Sequence, residues 1–132
     1  MTILRERYGH TNIEELVMIG VPRQDVPMWM NACDLHLLSS DQEGSPNSVK
    51  ECLFCGVPVV ATNVGNVVDL LDNMPASYVS GEFTSESLAE SVNKTLTANS
   101  TPSKIREAIM QKGLDIGSVA NKLQDIYESL NK

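Results

Sequence analysis

Two carboxylates, Glu43 and Glu51, bracket the segment SSDQEGSPNSVKE, with seven residues between them. Glu43 falls in a loop. Glu51 falls about one turn inside the helix expected from about Asn47 to Cys55. Gly44, Ser45 and Pro46 force a tight turn between the two, and Pro46 suits a helix start because its missing N–H would be unpaired there anyway. The amides of Asn47, Ser48 and Val49 then open the helix. That end carries a partial positive charge and suits a phosphate. The same spacing also fits a loop glutamate and a solvated helix glutamate with no ligand at all.

The elements that would position these groups can be read on either side. Leu16-Val17-Met18-Ile19-Gly20 reads as a buried strand, Asp34-Leu35-His36-Leu37-Leu38-Ser39 as the next strand, and Val57-Pro58-Val59-Val60-Ala61 as another, with Pro58 near its start. Tyr78-Val79 is a weak fourth. Asp25 can cap a helix through Met28 to Ala32, and Gly56 ends the helix that carries Glu51. Further helices are expected at Val67–Leu71, about Ser85–Thr97, Pro102–Lys112 and Ile116–Leu130. Alternating apolar strands and helices predict an α/β fold, Rossmann-like, with a parallel sheet and helices on both faces. Ligands of such sheets sit beyond the carboxyl ends of the strands. Those ends are Gly20-Val21-Pro22, Ser39-Ser40-Asp41 and Thr62-Asn63-Val64.

Bulk properties narrow the classes. A chain of 132 residues suggests one domain, and the net charge of −7 argues against binding a nucleic-acid backbone. No apolar run approaches a membrane span, and Met1 to His10, with Arg5, Glu6 and Arg7, lacks the apolar core of a signal peptide. The three cysteines read as reduced cytosolic thiols. Cys33-x-x-His36 and Cys52-x-x-Cys55 supply a zinc-like inventory. Their placement across a helix end, a strand and a second helix fits small core residues better, and no metal is expected. His36 alternates with Leu35 and Leu37 as a packed or interface histidine. Leu88, Val92 and Leu96, and Val119, Leu123, Ile126 and Leu130, form stripes expected to face the core.

The run EGSPNSVKECLFCGVPVVATNVGNVVDLL, with VPRQDVPMWMNACDLHLLSS before it, is similar to the signature of family-4 retaining glycosyltransferases (glycosyl transferases group 1). The resemblance covers about Leu16 to Leu71 and implies the C-terminal nucleotide-sugar-binding domain of a GT-B fold. It implies that Glu43 accepts from donor-sugar hydroxyls and that Glu51 grips the ribose diol, a role an ionised carboxylate can fill. Gly44, Ser45, Asn47 and Ser48 match the segment on the distal phosphate and sugar. The loop Val21, Pro22 and Arg23 would border the base, where Arg23 can stack or approach a phosphate; an exposed loop arginine fits equally well. Transfer of a hexosyl group with retention, with neither protein nucleophile nor metal, is what the family implies, and no cofactor beyond the nucleotide-diphosphate sugar.

Departures from the pattern are Pro46 and Asn66 where glycines are frequent, and Asp69 where glutamate is. Nothing before Leu16 resembles the family's segment with an Arg and a Lys for the diphosphate, and the acceptor-binding domain has no counterpart. The expectation is therefore a single partial domain over 1–132, with a sheet core over 16–80 and helices over 81–132, truncated at its N-terminal side. Its expected partners are the nucleotide-sugar donor, an unknown acceptor, and an acceptor domain or partner chain. The expected location is cytoplasmic, membrane-peripheral at most in the full enzyme. Rival readings are a non-catalytic nucleotide-sugar-binding subunit of a split transferase, a sugar-nucleotide epimerase, and a generic phosphate-binding flavodoxin-like domain. The epimerase would need acid/base residues that cannot be located. The flavodoxin-like reading leaves the joint occurrence of both glutamates and GVPVVATNVG unexplained.

Overall fold

A computed structural model of the protein describes residues 1–130. Asn131 and Lys132, the end of the expected helical segment, lie outside the described residues. The chain runs α1 (Thr2–Tyr8), α2 (Val26–Asn31), β1 (His36–Leu38), α3 (Asn47–Cys55), β2 (Val59–Ala61), α4 (Val67–Leu71), β3 (Tyr78–Val79), α5 (Ser85–Thr97), α6 (Pro102–Gln111) and α7 (Ile116–Leu130). The strands form a three-stranded parallel sheet in the order β1-β2-β3. His36, Leu37 and Leu38 lie against Val59, Val60 and Ala61, and Val60 and Ala61 against Tyr78 and Val79.

The central strand explains the layering. Successive side chains of a strand point to opposite faces. Val59 and Ala61 join a core with Val49, Cys52, Leu53, Val67, Ile105 and Ile109 from α3, α4 and α6. Val60 points the other way, to Leu4 of α1 and Ala89 and Val92 of α5. All three strand residues are completely buried. A strand covered on both faces is apolar throughout rather than alternating, and the run Val57–Ala61 carries that signature.

Helix ends follow local chemistry. Gly56 takes the left-handed conformation at φ 82° and ends α3, as expected of a glycine there. Thr84 and Thr101 accept the amide hydrogens of Ser87 and Lys104 and so cap α5 and α6. Asp25 does stand at the N-cap of α2, but its side chain makes no capping bond.

Two expectations fail. The segment Leu16–Gly20 is not a buried strand: it carries no strand pairing, and Leu16, Val17 and Ile19 are 50%, 64% and 85% exposed. A strand needs a hydrogen-bonded neighbour, and none lies beside this run among the described residues. The stripe on α7 is not core: no residue of α7 is buried, and Leu123, Ile126 and Leu130 are half-exposed or more. Its periodicity is helical, but no sheet or helix of the described residues covers it. On α5, Val92 is buried and Leu88 packs beside it, while Leu96 sits at the rim.

Candidate functional site

Two of the three loops proposed for chemistry, those holding Ser39-Ser40-Asp41 and Thr62-Asn63-Val64, leave the carboxyl ends of β1 and β2, whereas Gly20-Val21-Pro22 follows no strand. The loop after β1 reaches α3 through Pro46, which is the N-cap rather than part of the first turn (φ −65°, ψ 117°). Proline offers no side-chain acceptor, and α3 has no side-chain cap. The first amides of α3 are therefore left without the partner that Ser, Thr or Asp would supply. Ser45 and Asn47 are exposed and Ser48 is half-buried. Asn47 Oδ1 accepts from Lys50 Nζ at 3.3 Å.

Glu43 is half-buried and accepts from Ser40 Oγ at 2.9 Å through its Oε1. Ser40 is itself tied down. The buried Thr62, just past β2, donates its hydroxyl to the Ser40 carbonyl at 2.5 Å. Behind Glu43, the loop after β2 closes on the loop after β1. Asn66 N–H donates to the Gly44 carbonyl at 3.1 Å. Gly65 adopts φ +52°, and a Cβ there would lie 2.1 Å from the Gly44 oxygen and 2.8 Å from that of Glu43. Only glycine permits this approach. Asn66 Oδ1 is buried beside this contact with no partner among the described residues.

Glu51, one turn and a half further along, is exposed and faces Arg23 Nη2 at 3.9 Å. The Arg23 side chain is 96% exposed, so the pair adds little stability and leaves both groups free for a ligand. Together with Val21, Val26, Pro27, Met30, Phe54 and Cys55 they line a cleft of about 610 Å³, a size ordinary for small-molecule sites. Its wall is largely apolar, with one carboxylate and one guanidinium at its mouth. Pro22 does not line it; its carbonyl accepts from Asp25 N–H at 2.9 Å. A second cleft of similar volume opens at the amino ends of the strands, between Asp34, Pro58, Thr101 and Arg106. The first is the better candidate, because Val21, Arg23 and Glu51, singled out from the sequence, line it and not the other.

Sequence reasoning named Val21, Arg23 and Glu51 but missed Phe54 and Cys55. Helical periodicity could have found these two, since residues three and four past Glu51 share its face. Sequence reasoning placed Ser40 and Thr62 at the strand ends where a ligand was expected but gave them no role. The cysteines are free thiols. Burial, and then the neighbouring Cys55, Cys33 and Glu51, push Cys52 up to about 12. Among the described residues no group of three His, Cys, Asp or Glu side chains is placed to hold a metal ion.

With this geometry in hand, comparison with known proteins is informative. The family described as glycosyl transferases group 1 matches residues 3–98. The chain belongs to that family. Among relatives of this glycosyl transferase chain is the Bacillus subtilis (strain 168) protein named as the teichuronic acid biosynthesis glycosyltransferase TuaC. The two are 28% identical over 115 residues, which are 85% of this chain and 29% of TuaC. Two solved structures share the fold. Sucrose-phosphate synthase of Thermosynechococcus elongatus superposes with a TM-score of 0.75 at 18% identity, over 96% of this chain and 32% of that one. Anabaena Alr3699/HepE, solved in complex with UDP-glucose, gives 0.65 at 22% identity, over 95% and 35%. The group 1 chain thus spans about a third of the length of the proteins it matches. Its α/β architecture, a parallel sheet covered on both faces, is the one expected of a GT-B glycosyltransferase.

Proposed function

We propose that this chain binds the nucleotide-diphosphate-sugar donor of a family-4 retaining glycosyltransferase. In this reading Glu51 accepts hydrogen bonds from the ribose diol, and Val21 and Arg23 border the base in the cleft beneath. Glu43 accepts from hydroxyls of the transferred hexose. The uncapped amides of Asn47, Ser48 and Val49 face the diphosphate, assisted by the backbone at Gly44 and Ser45. A helix start aimed at the leaving diphosphate would stabilise charge as the glycosidic bond breaks, an electrostatic contribution fixed in advance by the fold. The reading requires no metal and no nucleophilic side chain. A cytoplasmic site of action fits such donors, and no helix of the described residues is long and apolar enough to cross a membrane.

The observation that carries the proposal is the cleft itself, where an exposed carboxylate and an exposed guanidinium meet over an apolar wall. HepE, which shares the fold, was solved with UDP-glucose, so uridine diphosphate is the first ligand to try. Calorimetric titration of the chain with the uridine, guanosine and adenosine diphosphates, alongside Glu51→Ala, tests it. One nucleotide should bind, and the variant should lose roughly 1.5–3 kcal/mol, the worth of a charged hydrogen bond. Binding that is indifferent to Glu51→Ala refutes the assignment.

A second reading, a non-catalytic nucleotide-sugar-binding subunit that completes a transferase with another chain, is favoured by one feature. Leu16, Val17 and Ile19, and Leu37 on the edge strand β1, are large apolar side chains about half or more exposed, which a partner chain could cover. That reading expects nucleotide-sugar binding with no release of nucleotide from UDP-glucose by the chain alone, and turnover once a partner is supplied.

A further inference from the structure

We infer that Ser40 and Thr62 are positioning residues that hold the Glu43 carboxylate for the sugar, and that they act on the sugar half of the donor without acting on its nucleotide half. The inference rests on the donor-binding reading above and adds to it two residues from outside the EGSPNSVKE segment.

The geometry is a two-step chain. Thr62 is 1% exposed and follows the fully buried β2, so its hydroxyl is as fixed as the sheet. It donates to the Ser40 carbonyl, which is 22 residues earlier in sequence. That bond joins the loop after β1 to the end of β2. It fixes the Ser40 backbone, and Ser40 Oγ in turn donates to Glu43 Oε1. A carboxylate offers about four acceptor positions on two oxygens. Ser40 occupies one on Oε1. Oε2 has no hydrogen-bond partner among the described residues. Glu43 is thus oriented through one oxygen and keeps the other for a donor. An ionised carboxylate cannot donate, so its partner must, and a hexose hydroxyl is the group the proposed ligand offers.

Without the Ser40 hydroxyl the half-buried Glu43 regains rotamers that are lost again on binding. The cost falls on ligands that engage Glu43. It does not fall on ligands that end at the diphosphate, because Glu51 and Arg23 belong to a separate cleft wall to which neither Ser40 nor Thr62 contributes.

The test measures UDP and UDP-glucose binding in parallel on the wild-type chain, Ser40→Ala, Ser40→Thr, Thr62→Val and Thr62→Ser. The carboxyl carbon resonance of Glu43 is followed by NMR on the same ligand-free proteins. Ser40→Ala and Thr62→Val should bind UDP as the wild type does and lose about 2- to 12-fold in the UDP-glucose constant, the net worth of one ordinary hydrogen bond, since they act on the sugar only through Glu43. Ser40→Thr and Thr62→Ser keep a hydroxyl and should restore most of it. In ligand-free protein the Glu43 resonance should move in Ser40→Ala and Thr62→Val and stay near its wild-type position in the two rescue variants. Equal loss of UDP and UDP-glucose binding would mean a general structural role and would overturn the inference, as would a Glu43 resonance indifferent to Ser40→Ala. A wild-type chain that binds neither ligand would instead count against the donor-binding reading, and the resonance would still decide whether Ser40 and Thr62 hold Glu43.

Discussion

Replacing Gly65 by alanine is the sharpest probe of how the site is built. At φ +52° an alanine is strained, and a left-handed residue costs about 1–2 kcal/mol. The added Cβ would sit 2.1 Å from the Gly44 oxygen and 2.8 Å from the Glu43 oxygen, both backbone atoms. Neither can swing aside as a flexible side chain could, so the loop must move, at about 1–3 kcal/mol for overpacking of this kind. The move also strains the Asn66 N–H bond to Gly44. The sum is about 2–5 kcal/mol, which lowers the melting temperature of a domain this size by at least about 6 °C. Gly44→Ala is the control: a Cβ there meets nothing within 4 Å, and the change should stay within about 0.5 kcal/mol. Calorimetric melting of both variants checks the stability, and UDP-glucose titration checks the site. Gly65→Ala should lose sugar-dependent binding along with stability. A Gly65→Ala chain that melts within about 2 °C of the wild type and binds UDP-glucose equally would show that the two loops do not depend on each other, and the account of Glu43 would fall with it.

Two pH dependences follow from burial. The Cys52 thiol is pushed from 9.0 up to about 12, by burial first and then by the neighbouring thiols and Glu51. The folded chain therefore keeps a proton that the unfolded chain releases, so stability should fall as pH rises from 9 toward 12, and urea unfolding of Cys52→Ala should show a shallower alkaline slope. Burial holds the His36 imidazole below its ordinary 6.5, and Nε2 is buried with no partner among the described residues. Here the unfolded chain takes up the proton first, so stability should fall as pH drops below 6.5. In His36→Leu the acid slope should flatten; an unchanged slope would place its origin in other groups.

Much of the fold was legible because the signals are local. The glycine after α3 and the apolar run of β2 each declare an element within a few residues. The placement of Glu43 in a loop and Glu51 in a helix was legible through a motif contained in those two elements. What stayed hidden depends on neighbours distant in sequence. Leu16–Gly20 has the composition of a strand, but composition cannot supply a pairing partner. The α7 stripe has the period of a buried face, but periodicity says which residues share a face and not what covers it. Ser40 and Thr62 meet across 22 residues, so no window along the chain holds both. Gly65 read only as part of a motif, and its necessity appears when the Gly44 carbonyl is seen where its side chain would be.

The far end of α3 gives the site an unusual reach. Arg106 of α6 donates to the Cys55 carbonyl at 2.7 Å and fills the space beside Gly56, where a Cβ would lie 2.6 Å from its Nη1. The helix is therefore clamped at the end opposite its uncapped first amides. Nine residues make a rod about 13 Å long, and a tilt of about 5° at the clamp swings its tip by about 1 Å, a displacement that can cost on the order of a hundredfold in catalysis. The molecule thus has a fulcrum on its back: a substitution at the α3–α6 joint, in contact with no ligand, retunes the aim of the front.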